Sequence, residues 1–360
     1  MRMARTVAVG VGLVLALMLA GRVTSVRLRP AVPPSPSTAA AATTTASTPP
    51  TSTATPPTAV VATIAVGAGP TQVTVAAGAV WVGGWGTGRL VRVDPATNRV
   101  AARIPVGRPQ ESPIAIAATA RAVWVVDFGD AQVLRVDPAT NRVVARIPVR
   151  GGAGGIAAGA GAVWVTSGEG GDQRHGWVQR IDPTRNRVVA TISVPSGMLW
   201  DIAIDGPSAS VWVGSELGGL WRIDAHTSTV TTIRKPGAPK PGAGGIGHLA
   251  AGAGAVWVAS DGQLQRRDAR SGRIIATIPW ADGSLAARGA IGAGAVWFSS
   301  RQGLARFDVT ANRLVATVPA APTAGATMLT DIAGVAADAG AVWVLTGESL
   351  LRIDPARVPR

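Results

Sequence analysis

The chain has no cysteine. That excludes disulfide staples, thiolate metal ligands and a thiol nucleophile, and it leaves no lipidation cysteine behind the N-terminal apolar stretch. Lysine is nearly missing: only Lys235 and Lys240 occur among 34 basic residues. Arginine carries the rest of a net charge of +14, in a sequence rich in alanine and glycine. This pattern fits GC-rich codon usage better than selection for a polyanion, and most arginines recur at matching places in repeats. Nucleic acid is therefore disfavoured as a partner. No His-Glu-x-x-His, Gly-x-Ser-x-Gly or Gly-x4-Gly-Lys-Ser/Thr string appears, so the common zinc-protease, serine-hydrolase and phosphate-cradle signatures are missing. The many Gly-Ala-Gly strings recur at hairpin positions and read as turns.

What the chain does have is a string repeated seven times. Trp81, Trp124, Trp164, Trp212, Trp257, Trp297 and Trp343 sit at spacings of 43, 40, 48, 45, 40 and 46 residues. Five lie in Ala-Val-Trp-Val, one in Ser-Val-Trp-Val and one in Ala-Val-Trp-Phe. One strand-like core per 40–48 residues predicts the blades of a β-propeller. The string is apolar on both pleat faces, so each sheet must be covered on both sides, as blades in a ring are. A buried tryptophan removes about 150–250 Å² from water, worth roughly 4–6 kcal/mol. The seven repeat tryptophans are thus core residues.

Four strands, a to d, are legible in each unit. Strand a resembles Gly155-Ile-Ala-Ala, b carries Val-Trp-Val, c reads like Leu90-Val-Arg-Val-Asp, and d like Val188-Val-Ala-Thr-Ile-Ser-Val. Asp-Pro-Ala-Thr-Asn-Arg at 94–99 and 137–142, with a close variant at Asp182, joins c to d. Asp then Pro suits a type I turn whose carboxylate accepts the N–H groups beyond it. The final unit ends after Leu350-Leu-Arg-Ile-Asp-Pro without a strand d, whereas Val60-Val-Ala-Thr-Ile-Ala-Val is a strand d without its a, b and c. Pairing 60–66 beside 349–354 closes the ring with no open edge. The expectation is an all-β, seven-bladed propeller of four-stranded antiparallel blades over residues 59–360.

Two segments precede it. Residues 1–29 hold Arg2 and Arg5, then an apolar run from Val7 to Gly21, the length of a signal-peptide core and short for a spanning helix. A cleaved signal or an uncleaved anchor would each place the remainder outside the cytoplasm. Residues 30–58 are Pro, Thr, Ser and Ala without charge, a composition expected to stay disordered or extended. As polyproline II this linker would reach roughly 90 Å.

The repeat Ala-Val-Trp-Val followed by Arg-Ile-Asp-Pro-x-x-Asn-Arg-Val-Val-Ala-Thr-Ile-x-Val resembles the YVTN/YncE-type β-propeller family over about residues 59–357. The resemblance implies an exported seven-bladed ring, and it carries no reaction. A second likeness is to streptogramin B lyases, seven-bladed propellers that use histidine, glutamates and a divalent metal. It implies His248 as general acid/base, with Asp261 or Glu216 on a metal. No second histidine takes a comparable place.

Antiparallel blades put the d-to-a and b-to-c loops on one face of the ring and the a-to-b and c-to-d turns on the other. Eleven acids fall on the loop face: Glu111, Asp127, Asp130, Glu169, Asp172, Asp201, Glu216, Asp261, Asp282, Asp331 and Glu348. Arg99, Arg142, Arg185, Arg187, Arg273, Arg313 and Arg357 mark the turn face. Trp85, Phe128, Trp177, Trp200 and Trp280 lie outside the repeat string, near the acidic side. Flat rings beside carboxylates suit a sugar, a cation or an aromatic ligand. The candidate ligand-binding set is Gln72, Trp85, Asp127, Trp200, Asp201, Arg288 and Asp331. Gln72 and His248 stand nine residues before their tryptophans, and Asp201 and Asp331 are read as their analogues across longer a-to-b turns. The reading is a monomeric binding or scaffold module with no cofactor, its partner a protein, glycan or small molecule. The alternative is a metal-assisted lyase at the same face.

Overall fold

The computed structural model describes residues 59–111, 115–168, 175–196, 199–215, 217–235, 248–260, 262–280, 289–300, 303–319 and 332–359. Seven four-stranded antiparallel sheets follow one another around a ring. Blade 1 contains strands Pro70–Ala76, Ala79–Gly84, Arg89–Asp94 and Arg99–Pro105. Blades 2 to 6 span 115–148, 152–194, 199–234, 248–279 and 290–318. Blade 7 takes strands a to c from Ile332–Ala337, Val342–Thr346 and Ser349–Ile353. Its strand d is the N-terminal Val60–Ala65, antiparallel to strand c with Ile64 opposite Leu350 and Val60 opposite Ile353. The expected closure is therefore the observed one. Thr58–Arg360 forms a compact unit.

Strand b is the heart of each blade. All seven repeat tryptophans are at most 1% exposed, because strands a and c flank each of them in the sheet and adjacent blades cover both sheet faces. Strand d is outermost and alternates exposed with half-buried positions, so Val144 and Val189 keep about half their surface. Strand a is innermost. Residues 72–75, 116–118, 156–158, 202–204, 249–251, 289–291 and 335–337 line a central channel of about 310 Å³. Its walls are mostly Ile, Val and Ala, with Gln72 and Thr74 the polar side chains.

The blades are stitched by a contact that the repeat pattern hides. The strand-c arginine lies over the tryptophan of its own blade, guanidinium to ring centroid 5.4–5.6 Å, in blades 1, 2, 3, 5, 6 and 7. In blades 1, 2, 5 and 7 it then reaches into the next blade's c-to-d turn. Arg92 donates to the Pro138 carbonyl and Asn141 Oδ1 at 2.9 and 3.1 Å. Arg135 does the same to Pro183 and Asn186, and Arg352 closes the circle onto Pro95 and Asn98 at 2.8 and 3.0 Å. The receiving asparagine is left-handed, with φ near 50–57° at Asn98, Asn141, Asn186 and Asn312. Asparagine tolerates that region and offers a side-chain oxygen as well, which explains its place in Asp-Pro-Ala-Thr-Asn-Arg. The turn aspartate stays local. Asp94 accepts the Ala96 N–H and the Thr97 hydroxyl, both at 2.9 Å, and these bonds hold its carboxyl below the usual range, as they do at Asp137.

Blades 4 and 6 vary the device. Blade 4 has Ser228 and blade 5 has Gly272 where blades 1, 2, 3 and 6 have asparagine, and Arg222 of blade 4 donates to the Arg270 carbonyl instead. Arg306 of blade 6 has no ordinary turn to grasp, since blade 7 takes strand d from the other end of the chain. It donates to the Val358 and Pro359 carbonyls at 2.8 and 3.0 Å, gripping the segment after Asp354.

Candidate functional site

Several residues with the chemistry of ligand groups serve the ring itself. Gln72 Oε1 accepts the Ile116 N–H at 2.8 Å, bridging blades 1 and 2 at the channel mouth. Asp201, 2% exposed, bridges blades 4 and 5: its Oδ2 accepts the Leu249 N–H at 2.6 Å, and its Oδ1 accepts the N–H of neighbouring Ile202 at 2.9 Å. In both cases the second residue of the next blade's innermost strand turns its N–H to the preceding blade, and a side chain there answers it. Asp205 performs the same service on the turn face, accepting the Gly254 N–H at 3.0 Å.

The pairing of Asp331 with Asp201 is corrected by the register. Ile202 lies opposite Val213, the residue after Trp212, and Val335 lies opposite Val344, the residue after Trp343. Gly334 is thus the analogue of Asp201. The blade-4 turn is two residues longer, but the blade-7 turn has ordinary length: four residues separate Val75 from Val80 and Ala337 from Val342. Asp331 itself lies outside the described residues, as do Glu216, Asp261 and Arg288. So do Glu169, Asp172 and Asp282. Trp200 lies in strand a of blade 4, Leu199–Asp205.

His248 opens strand a of blade 5, and its Nδ1 stands 3.8 Å from Asp201 Oδ2 with the imidazole about one-fifth exposed. The two sit together at the channel entrance. As a metal site the arrangement is poor: both Asp201 oxygens already face backbone N–H groups, and no three His, Asp or Glu side chains gather among the described residues.

Above blades 1 and 2 the loop face is richer. Gly84 leads into a single 3-10 turn, Trp85–Thr87, that lifts Trp85 half out of the core. The Gln110 N–H donates to the Trp85 carbonyl at 2.8 Å and draws the following d-to-a loop against that turn. In that loop Arg108 joins Glu111 at 3.2 Å and Asp130 at 2.7 Å. Gln132 Nε2 donates to Asp127 Oδ2 at 2.7 Å, and Asp127 is buried at 2% exposure. Phe128 is half-buried and packs against Gly152 of blade 3, where a Cβ would come within 2.9 Å of its ring. This loop cluster therefore offers half-exposed aromatic faces beside a solvent-exposed arginine–carboxylate network. Arg108 and Gln132 are the members that sequence reading missed; their signal was only position, one loop before and one strand after the acids.

The other aromatics divide. Trp280 is core, 4% exposed and edge-on to Phe307 at 5.5 Å, which removes it from the loop-face set. Trp177 is half-buried under the Arg150 guanidinium, 4.0 Å from its ring centroid. Trp221, a further buried ring, fills a strand-c position occupied by Val91 in blade 1.

The architecture defines a seven-bladed β-propeller. The chain matches no family model and no curated protein. Among solved structures it is similar to a chain described as Kuenenia stuttgartiensis hydrazine synthase, at 14% identity and a TM-score of 0.65, over 79% of this chain and 95% of that one. At that identity the likeness is one of fold alone.

Proposed function

We propose that this chain is a YVTN/YncE-type propeller of the cell envelope, exported or held by its N-terminal segment, that binds a partner at its loop face without catalysis. The observation that carries the reading is Trp85. All seven repeat tryptophans are consumed by the core, whereas Trp85 is raised on its own turn beside the Arg108–Glu111–Asp130 network. A flat ring next to exposed paired charges suits a glycan, a small molecule or a protein side chain. The test is a glycan array and an envelope-protein capture run in parallel with wild type, Trp85→Ala and Arg108→Ala. Binding that falls at least tenfold in both variants, with melting unchanged, supports the loop face. Equal binding by all three sinks it.

His248 beside Asp201 favours a second reading, a lyase in which His248 moves a proton at the channel entrance. The residues expected to hold its metal, Asp261 and Glu216, lie outside the described residues. Stoichiometric divalent metal in the purified protein, with turnover lost in His248→Ala, would favour this enzyme over the binding module.

A further inference from the structure

The turn face carries a ring of arginines distinct from the inter-blade latches. Arg99, Arg142, Arg187 and Arg313 are the first residues of strand d in blades 1, 2, 3 and 6, and Arg273 directly precedes strand d in blade 5. All five are exposed. None has a side-chain hydrogen bond or ion pair among the described residues, in contrast to the strand-c arginines beneath them. The aspartates across the turn make no hydrogen bond to them, because the turn's own amides and hydroxyls occupy the carboxylates of Asp94, Asp137 and Asp308, although Asp308 still feels the charge of Arg313.

The other two stations are Thr229 in blade 4, whose carbonyl accepts the Asp224 N–H at 3.0 Å, and Ala59 in blade 7. The Ala59 carbonyl accepts the Asp354 N–H at 2.9 Å, the place that Arg273 takes against Asp268 in blade 5, also at 2.9 Å. Ala59, the first described residue, thus lies among these arginines, on the face opposite Trp85. Residues 1–58 add five arginines and no acid.

We propose that this ring is a docking surface for an anionic phospholipid bilayer, which the turn face meets while the loop face points away. The proposal rests on the reading of residues 1–29 as a membrane segment for its local concentration, but not for its chemistry. Related positions in a closed ring present their charges to one plane, which fits a flat anionic surface. A single nucleic-acid strand would want aromatic platforms between the cations, and the repeat tryptophans are buried. Each arginine near such a surface contributes roughly fivefold in affinity, so five together contribute up to roughly three-thousandfold where their energies add.

The absence of cysteine makes the test clean. Ala96→Cys on the arginine side and Glu348→Cys on the loop side, each in the full chain, take a donor dye, and vesicles carry an acceptor lipid. With phosphatidylglycerol vesicles the Ala96→Cys label should transfer more strongly than the Glu348→Cys label. The difference should shrink in phosphatidylcholine vesicles, at high salt, and in a chain carrying Arg99→Gln, Arg142→Gln, Arg187→Gln, Arg273→Gln and Arg313→Gln that melts like wild type. Equal transfer from the two labels on phosphatidylglycerol, or a difference that survives the five substitutions, overturns the proposal. So does tight binding of an oligonucleotide by a chain indifferent to vesicle charge. Flotation separates the two readings: a chain that floats with phosphatidylglycerol but not phosphatidylcholine keeps the ring and sinks the membrane segment. A chain that floats with neither sinks both.

Discussion

Ala77, Ala160, Ala253 and Ala293 have φ between 49° and 54°, each followed by a glycine at φ between 69° and 75°. These are two-residue hairpins of the mirror-image type, whose first position wants asparagine, aspartate or glycine. Alanine there bears a Cβ clash of about 1–2 kcal/mol. Asparagine relieves part of it, so each Ala→Asn should add roughly 0.5–1 kcal/mol. The four sites lie in different blades without shared partners, so the gains should add. The quadruple variant is expected to melt roughly 4–8 °C higher by calorimetry. An unchanged or lower midpoint would mean that the turns are not strained. Alanine at all four sites agrees with the alanine-rich composition, and turn strain is the physical cost of it.

At the scale of the strand and turn, the Arg–Asn latch makes a sharper prediction. Asn141→Gly keeps the left-handed turn but removes the oxygen that Arg92 reaches. Its cost should be about 1 kcal/mol, and it should vanish in an Arg92→Met background, giving a coupling energy of similar size in a double-mutant cycle. Additive single losses would show that the asparagine acts on its own turn alone. The strands were legible because their signals are local: Val-Trp-Val is apolar on both faces, and Asp-Pro-x-x-Asn marks a turn. The latch was not, because its partners are 46 to 51 residues apart, or 254 and 257 at the closure, and an arginine in a strand looks like any polar position. The same blindness applied at the channel mouth. Gln72 and Asp201 looked like ligand groups because nothing nearby in sequence announces that Ile116 and Leu249 present N–H groups to them. Asp331 was misplaced for a different reason, a turn length assumed rather than counted from the strand pairing. Trp85 was legible as a ring outside the repeat, but its elevation by a 3-10 turn was not.

For the whole molecule the decisive element is the strand that joins the two ends. Val60–Ala65 supplies the outer strand of blade 7 and buries Ile64, with Val66 just beyond it, to 6% and 3% exposure. The same blade places Leu351 and Ile353 in its core. Burying two such side chains contributes roughly 1.5–3 kcal/mol each, and the strand covers an edge of strand c that would otherwise be open. Against this, bringing together ends about 290 residues apart costs roughly 5 kcal/mol of chain entropy beyond a constant. The two terms nearly offset, so the ring profits mainly because closure also engages Arg352 with Pro95 and Asn98 and lets blade 1 pack on blade 7. Residues 68–360 should therefore melt well below residues 59–360. Amide exchange should accelerate first in Ser349–Ile353, which loses its strand partner, and then in the strands of blade 1. Substituting Arg352→Met in the longer chain should reproduce part of the exchange change in blade 1 without touching the strand pairing. If both lengths melt together with the same protection pattern, the N-terminal strand is an ornament on a ring already closed by its side-chain contacts.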